Sequence, residues 1–545
     1  MLNLIIFSFL SVLISLPFGC LFLKDNNKTI INYSVLLLYG IIVISFLSII
    51  LNFFTPLNKI TSTFVIFGAL FIIFNKKSFF FNFVFLKFSL TAALIVFLLV
   101  SKSTVYRPDA FLYHLPFIDI LNQFKIIFGL NNLHFRFGNT SILQYSAAIF
   151  NNFIFFEKGI FLPAALIASS IILNFSNQLY NYIKNNNFNS HFFYLLFIII
   201  YVAYKMNRYG EYGNDYPAHF IFYYLISEII LSLKNKNKNN IFSNLFLVST
   251  FILMNKLSMI FSILLPFLIL SKNQKEQIFN IKNYFTLTFL SFWIIKNLLI
   301  SGCVFYPVAK TCIESLPWTN VYEAKKISIE IEAWSKNWNN EKDPKYRDQE
   351  TYNENFNWIG TWSNNHLKTI IKILYPYIIF LILITLYIIF KSRKIQKATD
   401  YRHEMKLLFV LLILISIWFI KTPLFRFGFS YLISLISLFF AIVCSKYENF
   451  NNRKIFISLL ILCTAVFVGK NSLRLLNYPY QSNSNIWPKI KLYDNEKQLK
   501  KINTGELKYY ESTAECGFGF APCTHYKNLQ LRSINYGSFK IIIKK

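Results

Sequence analysis

Between Arg107 and Ser141 the sequence gathers two aspartates (Asp109, Asp119), two histidines (His114, His134) and two arginines (Arg107, Arg136) within 35 residues. They lie in Arg107-Pro108-Asp109-Ala110-Phe111-Leu112-Tyr113-His114-Leu115-Pro116 and in the run from Gly129 to Ser141. A carboxylate just beyond the end of an apolar helix can take a proton from an acceptor hydroxyl. Arginines beside it can hold a phosphate leaving group through paired hydrogen bonds. Asp109 is therefore the candidate general base, with Arg107, Tyr113, His114, His134 and Arg136 as candidate substrate-binding groups. The competing reading is a capped helix end with interfacial anchors. A second cluster, from Arg208 to Pro217, offers Asp215 as a further carboxylate or as a helix N-cap ahead of Pro217. Lys256 and Arg426 fall in short turns between apolar runs, where a lone interfacial cation is the alternative to a phosphate-binding role. No phosphate-binding Gly-rich loop, zinc-protease helix motif or nucleophile-elbow serine motif occurs, so ATP-driven transport and standard hydrolase chemistry have no positive support.

These residues must be carried by membrane helices. The 545-residue chain is 55% hydrophobic and only 15% charged, below the roughly 25% charged that soluble domains carry. Apolar runs recur that are long enough to cross a hydrocarbon core of about 30 Å. The short alternating strands of an outer-membrane barrel are absent. The expected architecture is an all-α polytopic membrane protein of about 13–15 helices. Its parts are N-terminal helices (1–101), a first outer loop with an interfacial helix over Ile118 to Phe128 (102–138), a helical core (139–300), an outer loop (301–366), C-terminal helices (367–470) and an outer α/β tail (471–545). Residues 1–23 read as the first of these helices, since they lack the basic start of a signal peptide.

The formal net charge of +30 does not argue for nucleic acid. Lysine outnumbers arginine heavily, as in an AT-rich coding background, and the cations gather in short loops between apolar runs. Loop clusters at Lys234, Lys236 and Lys238; Lys272, Lys275 and Lys282; Lys391 to Lys406; and Lys446 to Lys454 define the inner side. That puts 205–215, 301–366, the turn at 421–427 and the tail outside, and Lys76, Lys77 and Lys87 in turn put 102–138 outside. The scheme needs an odd number of crossings between 139 and 190, where two apolar stretches occur, so one of them must be partial.

The 301–366 loop holds nine of the 25 acidic residues and five of the eight tryptophans: Trp318, Trp334, Trp338, Trp358 and Trp362. It reads as a folded cap whose rings either anchor at the interface or stack on sugars. Four of the seven cysteines, Cys303, Cys312, Cys516 and Cys523, fall in outer segments where disulfides persist. Cys516 and Cys523 are spaced for a local bridge.

The run from Asp109 through Pro116, the run from Gly129 to Ser141, Ser301-Gly302-Cys303-Val304-Phe305-Tyr306-Pro307 and the Cys516 to Arg532 segment resemble a family of polytopic bacterial membrane proteins associated with surface-polysaccharide genes. The layout is similar to that of GT-C glycosyltransferases. The resemblance implies an inner-membrane enzyme with its active face outside, using a polyprenyl-phosphate-linked sugar donor and a glycan or lipid acceptor. By it Asp109 is the base and Asp215 the second acidic position. Ala110 follows Asp109, so the paired acidic motif is missing, and a divalent metal is left open. An O-antigen-type polymerase or ligase, and a non-catalytic transporter of lipid-linked glycans, are the alternative readings.

Overall fold

The computed structural model describes residues 2–22, 29–102, 109–209, 213–234, 241–270, 278–338, 348–392, 401–447, 453–476, 499–513 and 515–544. Arg107 lies outside the described residues, as do Gly210 to Tyr212 and the loop cations Lys236, Lys238, Lys272, Lys275, Arg393, Lys394 and Lys397.

Among the described residues ten helices are long and apolar enough to cross a membrane, from Leu2–Phe22 to Arg453–Leu476. Four shorter apolar helices accompany them: Lys59–Asn75, Ser190–Lys205, Ile241–Asn255 and Leu257–Ile269. The chain is a multi-pass helical membrane protein. Its outer stripes show why. On Lys59–Asn75, Ile60, Phe64, Phe67, Phe71 and Phe74 recur at helical spacing and are all exposed. On Lys368–Lys391, Ile371, Tyr375, Ile379, Ile382, Leu386 and Phe390 do the same. Continuous exposed apolar faces of this size are stable against lipid and not against water.

The expected partial segment is the earlier of the two. Helix Ile142–Phe150 has nine residues, about 13 Å at 1.5 Å per residue, and cannot cross. A tight turn follows, closed by Phe156 N–H donating to the Asn152 carbonyl at 2.8 Å. The chain then enters Leu162–Lys184, which is 23 residues long.

Contacts between helix ends sort into two groups. At one end Lys102 reaches the Leu475 carbonyl at 2.7 Å, Arg474 the Leu98 carbonyl at 2.6 Å, and Trp362 the Pro423 carbonyl at 2.7 Å. At the other, Glu404 accepts from Ser190 at 2.9 Å and pairs with Lys234 at 3.3 Å. The first group joins the segments that the loop charges assign to the outside, and the second joins those assigned to the inside.

The tail forms two small sheets. Strands β1 (Leu499–Asn503), β2 (Lys508–Ser512) and β3 (Cys523–Thr524) make one, and the hairpin of β4 (Leu531–Tyr536) and β5 (Phe539–Lys544) makes the other. Strand β5 lies against the first loop, with Phe128 N–H donating to the Lys540 carbonyl and Ile542 N–H to the Phe128 carbonyl at 2.9 and 2.8 Å. The helix expected over 118–128 instead runs Leu115–Gln123 and is buried from Leu115 to Leu121. The tail covers it: Gly519 N–H donates to Asp119 Oδ2 at 2.9 Å.

Gly129 makes this docking possible. Its φ is +68°, and a Cβ there would sit 2.2 Å from the Ile542 carbonyl oxygen and 2.6 Å from Trp318 Cβ. Gly537 has φ +58° but open space around it. Gly129→Ala is expected to cost about 2–4 kcal/mol and Gly537→Ala only about 1 kcal/mol. Melting temperatures of the detergent-purified variants check this; equal losses would mean that the tail is not seated on the first loop.

Candidate functional site

The first loop opens with a single π-helical turn over Ala110–His114, closed by Leu115 N–H on the Ala110 carbonyl. Its cause is in the sequence: Pro116 has no N–H to donate to residue 112, so the ordinary helical bond is missing and the turn widens. Asp109 heads this turn. Its Oδ2 accepts from Arg426 Nη1 at 3.3 Å, and both side chains remain about one-third exposed. Arg426 is the second residue of helix Phe425–Ser445, and its guanidinium lies 5.2 Å from the ring of Trp334 in the cap.

Lys256 stands at the break between helices Ile241–Asn255 and Leu257–Ile269. Its ammonium donates to Asp215 Oδ1 at 2.6 Å and to the Arg426 carbonyl at 2.7 Å. His219 Nε2 also reaches that carbonyl, at 2.9 Å. A carbonyl only accepts, so Nε2 carries the proton and Nδ1 accepts from Ser430 at 2.7 Å. The Arg426 backbone is thus held by two donors while its side chain faces Asp109.

The other sequence-identified groups adjoin this cluster. His114 is half-buried, and desolvation holds its imidazole down to about 4; the charges of Asp109, Asp215, Arg136 and Arg426 act on it as well. Burial raises Tyr113, with Asp109 adding to the rise. Arg136 lies 5.6 Å from the Tyr113 ring. His134 packs against His525 and Tyr526 of the tail at ring distances of 4.8 and 5.1 Å. Arg208 is placed apart, exposed and beside Arg474.

Several site residues had no motif to announce them. Gln144 donates to the His114 carbonyl at 3.3 Å and accepts from Ser141 N–H at 2.9 Å. Ser141 bonds Asn255, which donates to the Asn214 carbonyl at 3.1 Å. Lone amides at unremarkable spacings tie the first loop to the Asp215 and Lys256 turns. Lys296 did have a signal, a cation inside an apolar run. It is buried, and its ammonium donates to Thr140 Oγ1 at 3.1 Å.

Both candidate cysteine pairs are bonded, Cys303 to Cys312 and Cys516 to Cys523. Among the described residues no three His, Cys, Asp or Glu side chains converge as a metal site would require. Asp109 and Asp215 each face a cation instead.

A family model, "Domain of unknown function (DUF8201)", matches residues 1–433. The chain belongs to this family. The matched span takes in Asp109, Asp215, Lys256, Trp334 and Arg426, and ends before the tail that supplies His525 and Gly519. No curated protein and no solved structure matches the chain.

The tail contact carries a pH dependence with a defined sign. Burial holds His134 down to about 3, helped by His525 and Arg136, and burial also lowers His525. Undocked, both would titrate near 6.5, so docking is complete above that pH and weakens as pH falls from 6.5 toward 3. Asp119 opposes this: burial raises it to about 6, so acid between pH 6 and 4 favours its docked form. In an Asp119→Asn background, lowering the pH from 7 to 4.5 is expected to speed hydrogen exchange at 517–526 by about tenfold or more, beyond the intrinsic change. Adding His134→Asn should flatten that response. Exchange that follows the intrinsic rate alone would show that the imidazoles do not govern docking.

Proposed function

We propose that this protein is an integral-membrane glycosyltransferase of the GT-C type. It acts at the periplasmic face of a bacterial inner membrane in surface polysaccharide or glycolipid biosynthesis, taking sugar from a polyprenyl-phosphate-linked donor. The observation that carries the reading is the Asp109–Arg426 pair at one end of the bundle. A base, a phosphate-binding cation and an aromatic platform lie side by side there. Four of the five cap tryptophans are largely or wholly withdrawn into packing, while Trp334 is 45% exposed and next to Arg426. An exposed ring beside a base suits stacking on a sugar face.

In this reading Asp109 takes the proton from the acceptor hydroxyl as that oxygen bonds to the anomeric carbon. The bond from that carbon to the phosphate oxygen breaks, and polyprenyl phosphate leaves with the electron pair. Arg426 and Arg136 stabilise the charge growing on the phosphate, and Tyr113, His114 and His134 shape the surrounding wall. Asp215 is a positioning residue: its tight pair with Lys256 fixes that ammonium under the Arg426 backbone.

Purified protein is given a lipid extract of the producing cells and cell-envelope glycan, and release of polyprenyl phosphate is measured. Asp109→Asn, with wild-type melting behaviour, should lower release by about 10²–10⁴-fold. Trp334→Ala should raise the acceptor KM with a smaller change in kcat. Equal release by wild type and Asp109→Asn would remove the base from the mechanism. Loss of kcat alone in Trp334→Ala would remove the stacking role.

A further inference from the structure

The turn that follows helix Ile142–Phe150 bonds much of its own backbone. The Asn152 side-chain oxygen accepts from Ile154 N–H at 2.9 Å and from Phe155 N–H at 3.1 Å. The Asn152 carbonyl takes Phe156 N–H, and the Phe156 carbonyl takes Gly159 N–H at 3.0 Å. Asn151 N–H closes the preceding helix on the Ala147 carbonyl at 3.1 Å. A turn in water can leave such groups to solvent, whereas a turn in hydrocarbon has to satisfy them within the protein.

The side chains of the same turn face outward. Phe153 and Phe156 are 48% and 51% exposed. Phe155, between them, is buried on Phe7 and Phe150 at ring distances of 5.6 and 5.8 Å. Phe156 holds its ring outward on a backbone at φ +52° and ψ −153°, a conformation that suits glycine and strains a phenylalanine. Asn151 donates to Asn122 at 2.8 Å, and Asn122 donates to the Leu57 carbonyl. Leu57 lies in the turn between helices Ile30–Phe54 and Lys59–Asn75. Lys76 and Lys77 mark the inner end of the second of these, so the Leu57 turn is on the outer side. Leu2 and Ile6 on the helix of Phe7, and Ile60 and Phe64 after the Leu57 turn, are exposed at this same end. The two phenyl rings thus continue a surface that already meets lipid.

We propose that the tip of this turn, Phe153 to Phe156, inserts into the outer leaflet of the bilayer. Its partner is the acyl-chain layer just below the phosphates, which interfacial elements enter to a depth of about 5–10 Å. Helix Ile142–Phe150 carries the tip at one end. At its other end are Ser141 and Gln144, whose bonds reach Asn255 and the His114 carbonyl. Insertion of the tip therefore fixes the height of the first loop relative to the bilayer. This anchor stands independently of the transferase reading.

The test uses the unmodified full chain in phospholipid liposomes. A fraction of the lipid carries a photoactivatable diazirine high on one acyl chain, and adducts are mapped by peptide mass spectrometry. In parallel, hydroxyl radicals generated in the water mark the side chains that solvent reaches. Adducts on 151–157 should match those on the lipid-facing helix 59–75 within about threefold. Phe153 and Phe156 should be oxidised about tenfold less than the exposed Tyr322 of the cap and Tyr536 of the tail. Oxidation of either ring at the rate of those tyrosines would overturn the proposal, since the turn would then stand in water. Protection without adducts would overturn it as well, because a second copy or another protein would then be the cover.

Discussion

Lys256 is 8% exposed, and an ammonium that far from water is tolerable only when paired and hydrogen-bonded. Its two short contacts, to Asp215 and to the Arg426 carbonyl, are therefore obligatory, and they join three parts of the chain far apart in sequence. The start of helix Asp215–Lys234, the break at residue 256 and the start of helix Phe425–Ser445 are drawn to one point. Because the Arg426 carbonyl serves this purpose, its guanidinium is directed out of the bundle toward Asp109. The partly exposed pair of the candidate site thus rests on a second pair whose ammonium is buried. Removing Asp215 alone would leave that buried charge uncompensated, a larger penalty than losing the upper pair.

The tail supplies a second constraint, largely from backbone hydrogen bonds. Helix Leu115–Gln123 begins with a π-helical turn that displaces its register, and Asp119 is left facing a buried space. Without a donor that carboxylate would be costly. Gly519 provides one, at the tip of the loop closed by Cys516 and Cys523, and Gly517 N–H reaches the Phe111 carbonyl at 3.0 Å. The disulfide limits the shapes open to this loop before it docks, so less entropy is lost on docking. The matched family span includes Asp119 but not this loop. A chain ending near residue 433 would have to satisfy Asp119 and cover the first loop in another way.

Much of this was legible in the sequence because membranes make strong demands. Apolar runs and loop cations each act through a local rule, so the helices and the grouping of their ends could be anticipated. The juxtaposition of Asp109, Asp215, Lys256 and Arg426 followed indirectly: each ends or interrupts an apolar run on the side the loop charges mark as outer. What stayed hidden depends on tertiary partners. Nothing local distinguishes Trp334 from its four neighbours in the cap, and only packing decides which ring is left exposed. The burial of the helix Leu115–Gln123 stayed hidden for the same reason, since its cover is protein 400 residues away in sequence. Asn255 and Gln144 are ordinary amides until the loops meet.

The exposure of Arg426 and Asp109 argues that their pairing is a resting arrangement and not a structural clasp. A pair about one-third exposed, joined through one oxygen and one nitrogen at 3.3 Å, is worth little to stability after solvent screening. The tighter contacts nearby belong to Lys256, Asp215 and His219, of which Lys256 and His219 are buried. The fold therefore places its rigid polar bonds below the site and leaves the two groups best suited to proton transfer and phosphate binding loosely held at the surface. In the proposed mechanism an incoming phosphate takes Arg426 from Asp109 at small cost and leaves the carboxylate facing the acceptor hydroxyl. The weakness of the contact is what makes it usable.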